Sequence, residues 1–298
     1  MRIAYTLPAA GLALLASAAV CASDATFDRV VPAQPQGVVE ISNVSGRVDV
    51  RGWDRQEVSV HGNLDEGVER VEVTSESGHT IIKVVLPSHS HGGADADLHV
   101  QIPKGSELHV SAVSADVTTQ GVLGVQRLNA VSGNVTAELA GSDLELKTVS
   151  GDVRLKGHGQ PARLHIGTVS GDVHLERGAG DLEANTVSGT LVVSLDSAHS
   201  VRVRTTSGDL RFEGKLTRGA TFDALTVSGD LGIRVSADGG FSYEVSSFSG
   251  DITDCFDSKA ERTSKYGPGS ALQGTRGEGA SRVHLKTMSG DVQLCDRS

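Results

Sequence analysis

Thr148-Val149-Ser150-Gly151-Asp152-Val153 returns twenty residues on as Thr168-Val169-Ser170-Gly171-Asp172-Val173. Looser copies surround this pair. Their serines are Ser45, Ser114, Ser132, Ser188, Ser207, Ser228, Ser249 and Ser289. Glycine follows each serine except Ser114, and aspartate or asparagine usually comes next. From Ser114 to Ser249 the spacing is 18 to 21 residues, the mark of a repeat architecture rather than of a local site.

The flanks repeat with the same regularity. Six and four residues before the serine stand apolar residues such as Leu144 and Leu146, Leu164 and Ile166, Val201 and Val203. Polar residues separate them, and threonine usually stands two before the serine. Apolar residues resume three and five after it, as in Val153 and Leu155 or Leu231 and Ile233. This is period-2 alternation on both sides of a bend, so each repeat reads as strand, Ser-Gly corner, strand. Glycine supplies the backbone freedom of the corner, and serine and aspartate bond nearby backbone groups. One repeat cannot bury its apolar face alone. Stacking repeats about 4.8 Å apart makes a continuous aliphatic core, and eight or nine of them make a rod roughly 40 Å long. The expected fold is all-β, a β-solenoid with coils of about 18–21 residues.

Composition agrees. The 298 residues include 36 glycines spread along the chain, only 3% aromatics, and a formal net charge of −10. That balance speaks against a nucleic-acid partner, since nothing would offset phosphate repulsion. Arg2 followed by an apolar run from about Leu7 to Val20 reads as a secretory signal over 1–22. Lipidation of Cys21 is disfavoured by the bulky Val20 before it. No later segment is apolar for long enough to cross a membrane as a helix. The expected location is therefore exported, either periplasmic or secreted to the cell surface.

The two remaining cysteines give the sharpest expectation. Cys255 lies six residues after Ser249, and Cys295 six after Ser289. They hold one position in two successive copies of the motif. If those copies are neighbours, the Cα atoms come within disulfide range. The serines are 40 residues apart, twice the usual period. The intervening stretch is rich in Gly, Ser and charge, so an inserted excursion near 257–280 is favoured over an extra coil. Closing that loop is worth about 3–4 kcal/mol.

Other chemistry is sparser. Asp152, Asp172, Asp209, Asp230 and Asp251 recur at one corner position and would form a column that Asn134 and Thr190 interrupt. Turn capping is the simpler use of that column; calcium ligation is the alternative, but the nonapeptide pattern of calcium-binding β-rolls is absent. His89 and His91 in Ser88-His89-Ser90-His91 are candidate metal ligands, with His79 and His99 on flanking strands. Zinc needs three or four convergent ligands, and a polar hairpin loop is the simpler reading. His165, His174 and His284 fall on outward positions. No Gly-x-Ser-x-Gly elbow, His-Glu-x-x-His pair or phosphate loop is present, and no cofactor is expected. A β-helix enzyme acting on carbohydrate would use paired acids, but one Trp, three Tyr and six Phe leave few platforms for sugar rings.

Residues 23–105 contain strands without the 19-residue period and read as a β-rich N-terminal cap on the solenoid of 106–298. Bare ends would invite end-to-end self-association. With the run of Thr-Val-Ser-Gly-Asp-Val corners, Val44-Ser45-Gly46-Arg47-Val48-Asp49-Val50, Gly52-Trp53 and Leu98-His99-Val100-Gln101-Ile102-Pro103, the chain resembles the putative-adhesin family of bacterial β-strand-repeat, toastrack-like domains. The resemblance implies a right-handed parallel β-helix and a non-enzymatic role as an adhesin or as an envelope-stress scaffold or sensor. The expected partner is a protein or an envelope glycan.

Overall fold

A computed structural model describes residues 25–87, 94–256, 260–262 and 268–296. The signal segment, Cys21, His89 and His91 lie outside the described residues. All regular structure among those residues is β-strand, joined in one 22-stranded sheet. No helix there is long and apolar enough to cross a membrane.

The repeats pair in register, parallel, on both sides of the corner. Before it, Leu144 aligns with Leu164, Thr148 with Thr168 and Ser150 with Ser170. After it, Val153 aligns with Val173 and Leu155 with Leu175. The inward positions of the two arms face each other and are fully buried, Leu146 and Val153 among them. Each such side chain withdrawn from water contributes about 1.5–3 kcal/mol. The strand Val173–Ser188 runs from one arm into the next repeat's first arm through register shifts between Leu175 and Asp181, which turn the chain without breaking it.

Glycine at the corner is required twice over. Gly171 has φ +123°, and a Cβ there would stand 2.3 Å from the carbonyl oxygen of Gly151 in the repeat below. Gly151 meets Gly133 in the same way at 2.1 Å. The corners therefore rest backbone on backbone. Ala115 replaces the glycine at the Ser114 corner and is fully buried.

From Glu107 to Ala237 each repeat lies on the preceding one. At the C-terminal end the order changes. The last segment, Ser281–Ser289 with Val292–Asp296, does not add to the outside. It lies between the coil 220–237 on one side and the coil 240–255 on the other. Ser289 pairs with both Ser228 and Ser249. This inner slot buries Val283, Leu285, Val292 and Leu294 to 1% exposure or less. Within the excursion, Ser270–Gly277 pairs antiparallel with Gly240–Ser249 and covers the outer edge. Phe241, Tyr243 and Phe256 close the core at that end, with the Arg276 guanidinium 4.5 Å over the Phe256 ring.

The N-terminal end is arranged alike. Val38–Trp53 lies between Glu107–Gln120 and an outer coil made of His79–Val85 and Ala96–Pro103. Arg70–Glu76 covers one arm of that outer coil and Glu57–Leu64 the other, both antiparallel, and Ala25–Pro32 extends the cover. Val38–Trp53 thus pairs with Glu107–Gln120 in parallel, Ser45 against Ser114, as the later repeats pair with one another. The period is hidden there because antiparallel strands interrupt it in the sequence.

Candidate functional site: the corner edge

The corner places four ladders side by side along the stack. The outermost is apolar. Parity puts Thr148 inward, 4% exposed, and so turns Val149 outward, 47% exposed. In spatial order the ridge runs Val44, Val113, Val131, Val149, Val169, Val187, Thr206, Val227, Met288 and Phe248. Nine of the twelve large apolar side chains exposed among the described residues stand on it. Nine strand spacings make it roughly 43 Å long. Beside it, a shallow groove of about 510 Å³ is lined by Val44, Val113, Val131 and Val149, by Ala112 and Ala130, and by Lys83 and Lys147. Continuous apolar surface of this kind marks interaction sites. The sequence carries the signal for this ridge: a valine one position after an inward threonine must face out.

The aspartate ladder lies across the glycines. Asp116 Oδ1 accepts from the Asn134 N–H at 2.8 Å, and Asn134 Oδ1 from the Asp152 N–H at 3.1 Å. Asp152 and Asp172 continue it, at 3.2 and 2.8 Å, as far as the Thr190 N–H. Thr190 ends this run. A second run joins Asp209, Asp230, Asp291 and Asp251, again with the last sequence copy inside. Asn134, an interruption by sequence, carries the ladder on because its amide oxygen accepts as a carboxylate does. Among the described residues no three His, Cys, Asp or Glu side chains are grouped to hold a metal ion.

Cys255 and Cys295 form a disulfide with Cα atoms 4.9 Å apart, joining the outermost coil to the inserted one. Cys295 is buried, whereas Cys255 is exposed. His165 and His284 stand on the outer face beside acidic partners, Glu183 at 3.5 Å and Asp223 at 3.4 Å. Trp53 donates its indole N–H to the Glu57 carbonyl oxygen at 2.8 Å, which fixes it locally.

One outer face carries a lattice of charges. The Arg163 guanidinium bonds Asp143 and holds its carboxyl below the usual range. Lys147 does the same to Glu145 on that face; on the arm after the corner, whose outer side looks the other way, His158 and the Gly121 N–H do so to Glu138. Each of these carboxylates is thereby held ionised. A glycosidase acid needs the opposite displacement, toward a raised pKa.

A parallel stack of strands bent at recurring glycine corners makes this a β-strand-repeat domain. Within that class the chain belongs to the Toastrack DUF4097 family, whose model matches residues 38–295. Among solved structures it is similar to a putative adhesin from Parabacteroides distasonis ATCC 8503, at 8% identity and TM-score 0.40, covering 93% of this chain and 98% of that one. A putative adhesin from Bacteroides fragilis NCTC 9343 is similar at 9% identity and TM-score 0.34, covering 92% and 98%. A putative lipid binding protein from Parabacteroides distasonis ATCC 8503 is similar at 11% identity and TM-score 0.35, covering 92% and 97%. No curated protein matches.

Proposed function

We propose that this is an exported, non-enzymatic adhesin-like protein of the bacterial envelope, a right-handed parallel β-solenoid that presents its corner ridge to a protein partner. The ridge carries the reading. It is long and, apart from Thr206, apolar, and its outward side chains add little to the core. A protein partner suits it better than an envelope glycan, because the ridge offers one aromatic ring, Phe248, for a sugar to stack on. Export is supported by the N-terminal apolar run and by the Cys255–Cys295 bond, which an oxidising compartment maintains. The lowered pKa values of Asp143 and Glu145 on one face and of Glu138 on the other favour binding over acid catalysis at these carboxylates.

The test is a triple substitution, Val131→Ser, Val149→Ser and Val169→Ser, in the mature chain. Circular dichroism and melting should be unchanged, while retention of the protein on intact envelopes, and its crosslinking to neighbouring proteins there, should fall at least tenfold. Unaltered retention would sink the reading. Turnover of a glycan by the purified protein would replace it with the enzymatic one.

A further inference from the structure

The register of the N-terminal end brings together four polar side chains that lie far apart in sequence. Asp28 aligns with His61, His61 with His99, and His99 with Asp49, across four neighbouring strands. All four face outward, opposite the buried Val60 and Val100. The two imidazoles stack face to face with centroids 6.4 Å apart and planes 18° from parallel. The Nδ1 of His61 is 2.8 Å from Asp28 Oδ1, and the Nδ1 of His99 is 3.1 Å from Asp49 Oδ2. Neither Nε2 has a partner among the described residues.

We infer that His61 and His99 form a two-histidine binding site for a divalent transition cation that prefers imidazole, such as Cu²⁺ or Zn²⁺. A carboxylate on Nδ1 fixes the tautomer, leaves Nε2 as the basic nitrogen and raises its donor strength; this is the arrangement that outer-shell carboxylates give metal-bound histidines. Both rings have it, from opposite sides. A bridging ion at about 2.1 Å from each nitrogen requires them within roughly 4 Å with their in-plane lone pairs convergent, so the two near-parallel rings must rotate about their side-chain bonds to meet it. Their side chains are 47% and 50% exposed, which leaves room for that movement. Five other histidines pair with a carboxylate, among them His79 with Glu40 and His158 with Glu138, but each does so singly. The facing pair is what makes a chelate. With two protein ligands the cation keeps open positions for water or for a group on a partner. By the usual order of divalent affinities Cu²⁺ binds more tightly than Zn²⁺.

The experiment is calorimetric titration of the mature chain with CuCl₂ and, separately, ZnCl₂ at neutral pH. One ion per chain is expected, bound at least tenfold more weakly after His61→Gln or His99→Gln. Asp28→Asn with Asp49→Asn should weaken it about tenfold while leaving the stoichiometry at one, the size of effect seen for outer-shell partners. A His89→Ala, His91→Ala chain should bind as the parent does. Absence of binding, its survival in the His61→Gln, His99→Gln chain, or its loss with His89 and His91 would each overturn the assignment. Nε2 shifts of both rings by NMR should move together on Zn²⁺ addition; movement of one alone would also overturn it.

Discussion

In the middle of the molecule, between Glu107 and Ala237, sequence neighbours are spatial neighbours. At the two ends they are not. There the chain places one coil inside, travels outward to build the outermost coil and its antiparallel cover, and fills or leaves an inner slot. The same corner chemistry serves both regions, so the difference lies in how edges are managed. A parallel stack that simply stopped would expose unpaired strand edges. Inserting 281–296 between two coils leaves 240–255 outermost, where Ser270–Gly277 can pair against it in the opposite direction. The middle is held by repetition, and the ends are held by long-range pairing and one covalent bond.

That contrast can be broken experimentally. The largest effect is expected in the middle. Gly171→Val puts a side chain against the Gly151 carbonyl at a positive φ and should cost at least about 4 kcal/mol in urea unfolding. Gly219→Ala, with φ +80° and open space around it, should cost only about 1 kcal/mol. Equal losses would mean that backbone contact between corners does not support the stack.

Removing the disulfide with Cys255→Ser and Cys295→Ser should cost about 3–4 kcal/mol, the entropy of a 40-residue loop. Hydrogen exchange should show the loss first in 240–256, with the central coils still protected. Loss of protection spread evenly over the chain would erase the distinction between regions.

A smaller effect tests the aspartate ladder. Asp172→Ala leaves the Thr190 N–H without its acceptor and should cost about 1–2 kcal/mol. In the parent chain, Thr190→Asp should add roughly 0.5–1 kcal/mol by offering the Asp209 N–H a carboxylate and joining the two runs. The smallest effect concerns pH. Glu138, Asp143 and Glu145 have folded pKa values below the unfolded ones, so the stability they contribute is full above the ordinary carboxylate range. It is lost as pH falls through their lowered values. Acid melting should therefore weaken the middle below about pH 4, and Arg163→Ala should shrink that dependence.

Much of this was legible in the residues. Alternation around Leu144 to Leu155 determines which side chains face the core, and the recurring serine determines the register. The glycine positions were legible because a sharp corner admits little else. The shared position of Cys255 and Cys295 in two copies of the motif was also readable. The ridge was legible too, since a valine next to an inward threonine must face out even though valine suggests burial. Two features were not legible. The inner place of Ser289 was hidden because sequence spacing gives distance along the chain, not order in the stack. The His61–His99 pair was hidden because it depends on which strand lies antiparallel to Leu98–Pro103.

The sequence by itself determined the repeat, the inward and outward faces and the need for glycine, because each follows from local geometry: two-residue alternation and a bend that excludes Cβ. Only the tertiary structure decided the order of coils at the ends, the covering strands and the histidine pair. Those depend on which edges remain unpaired once the stack has formed, a property of the assembled sheet that no single repeat carries.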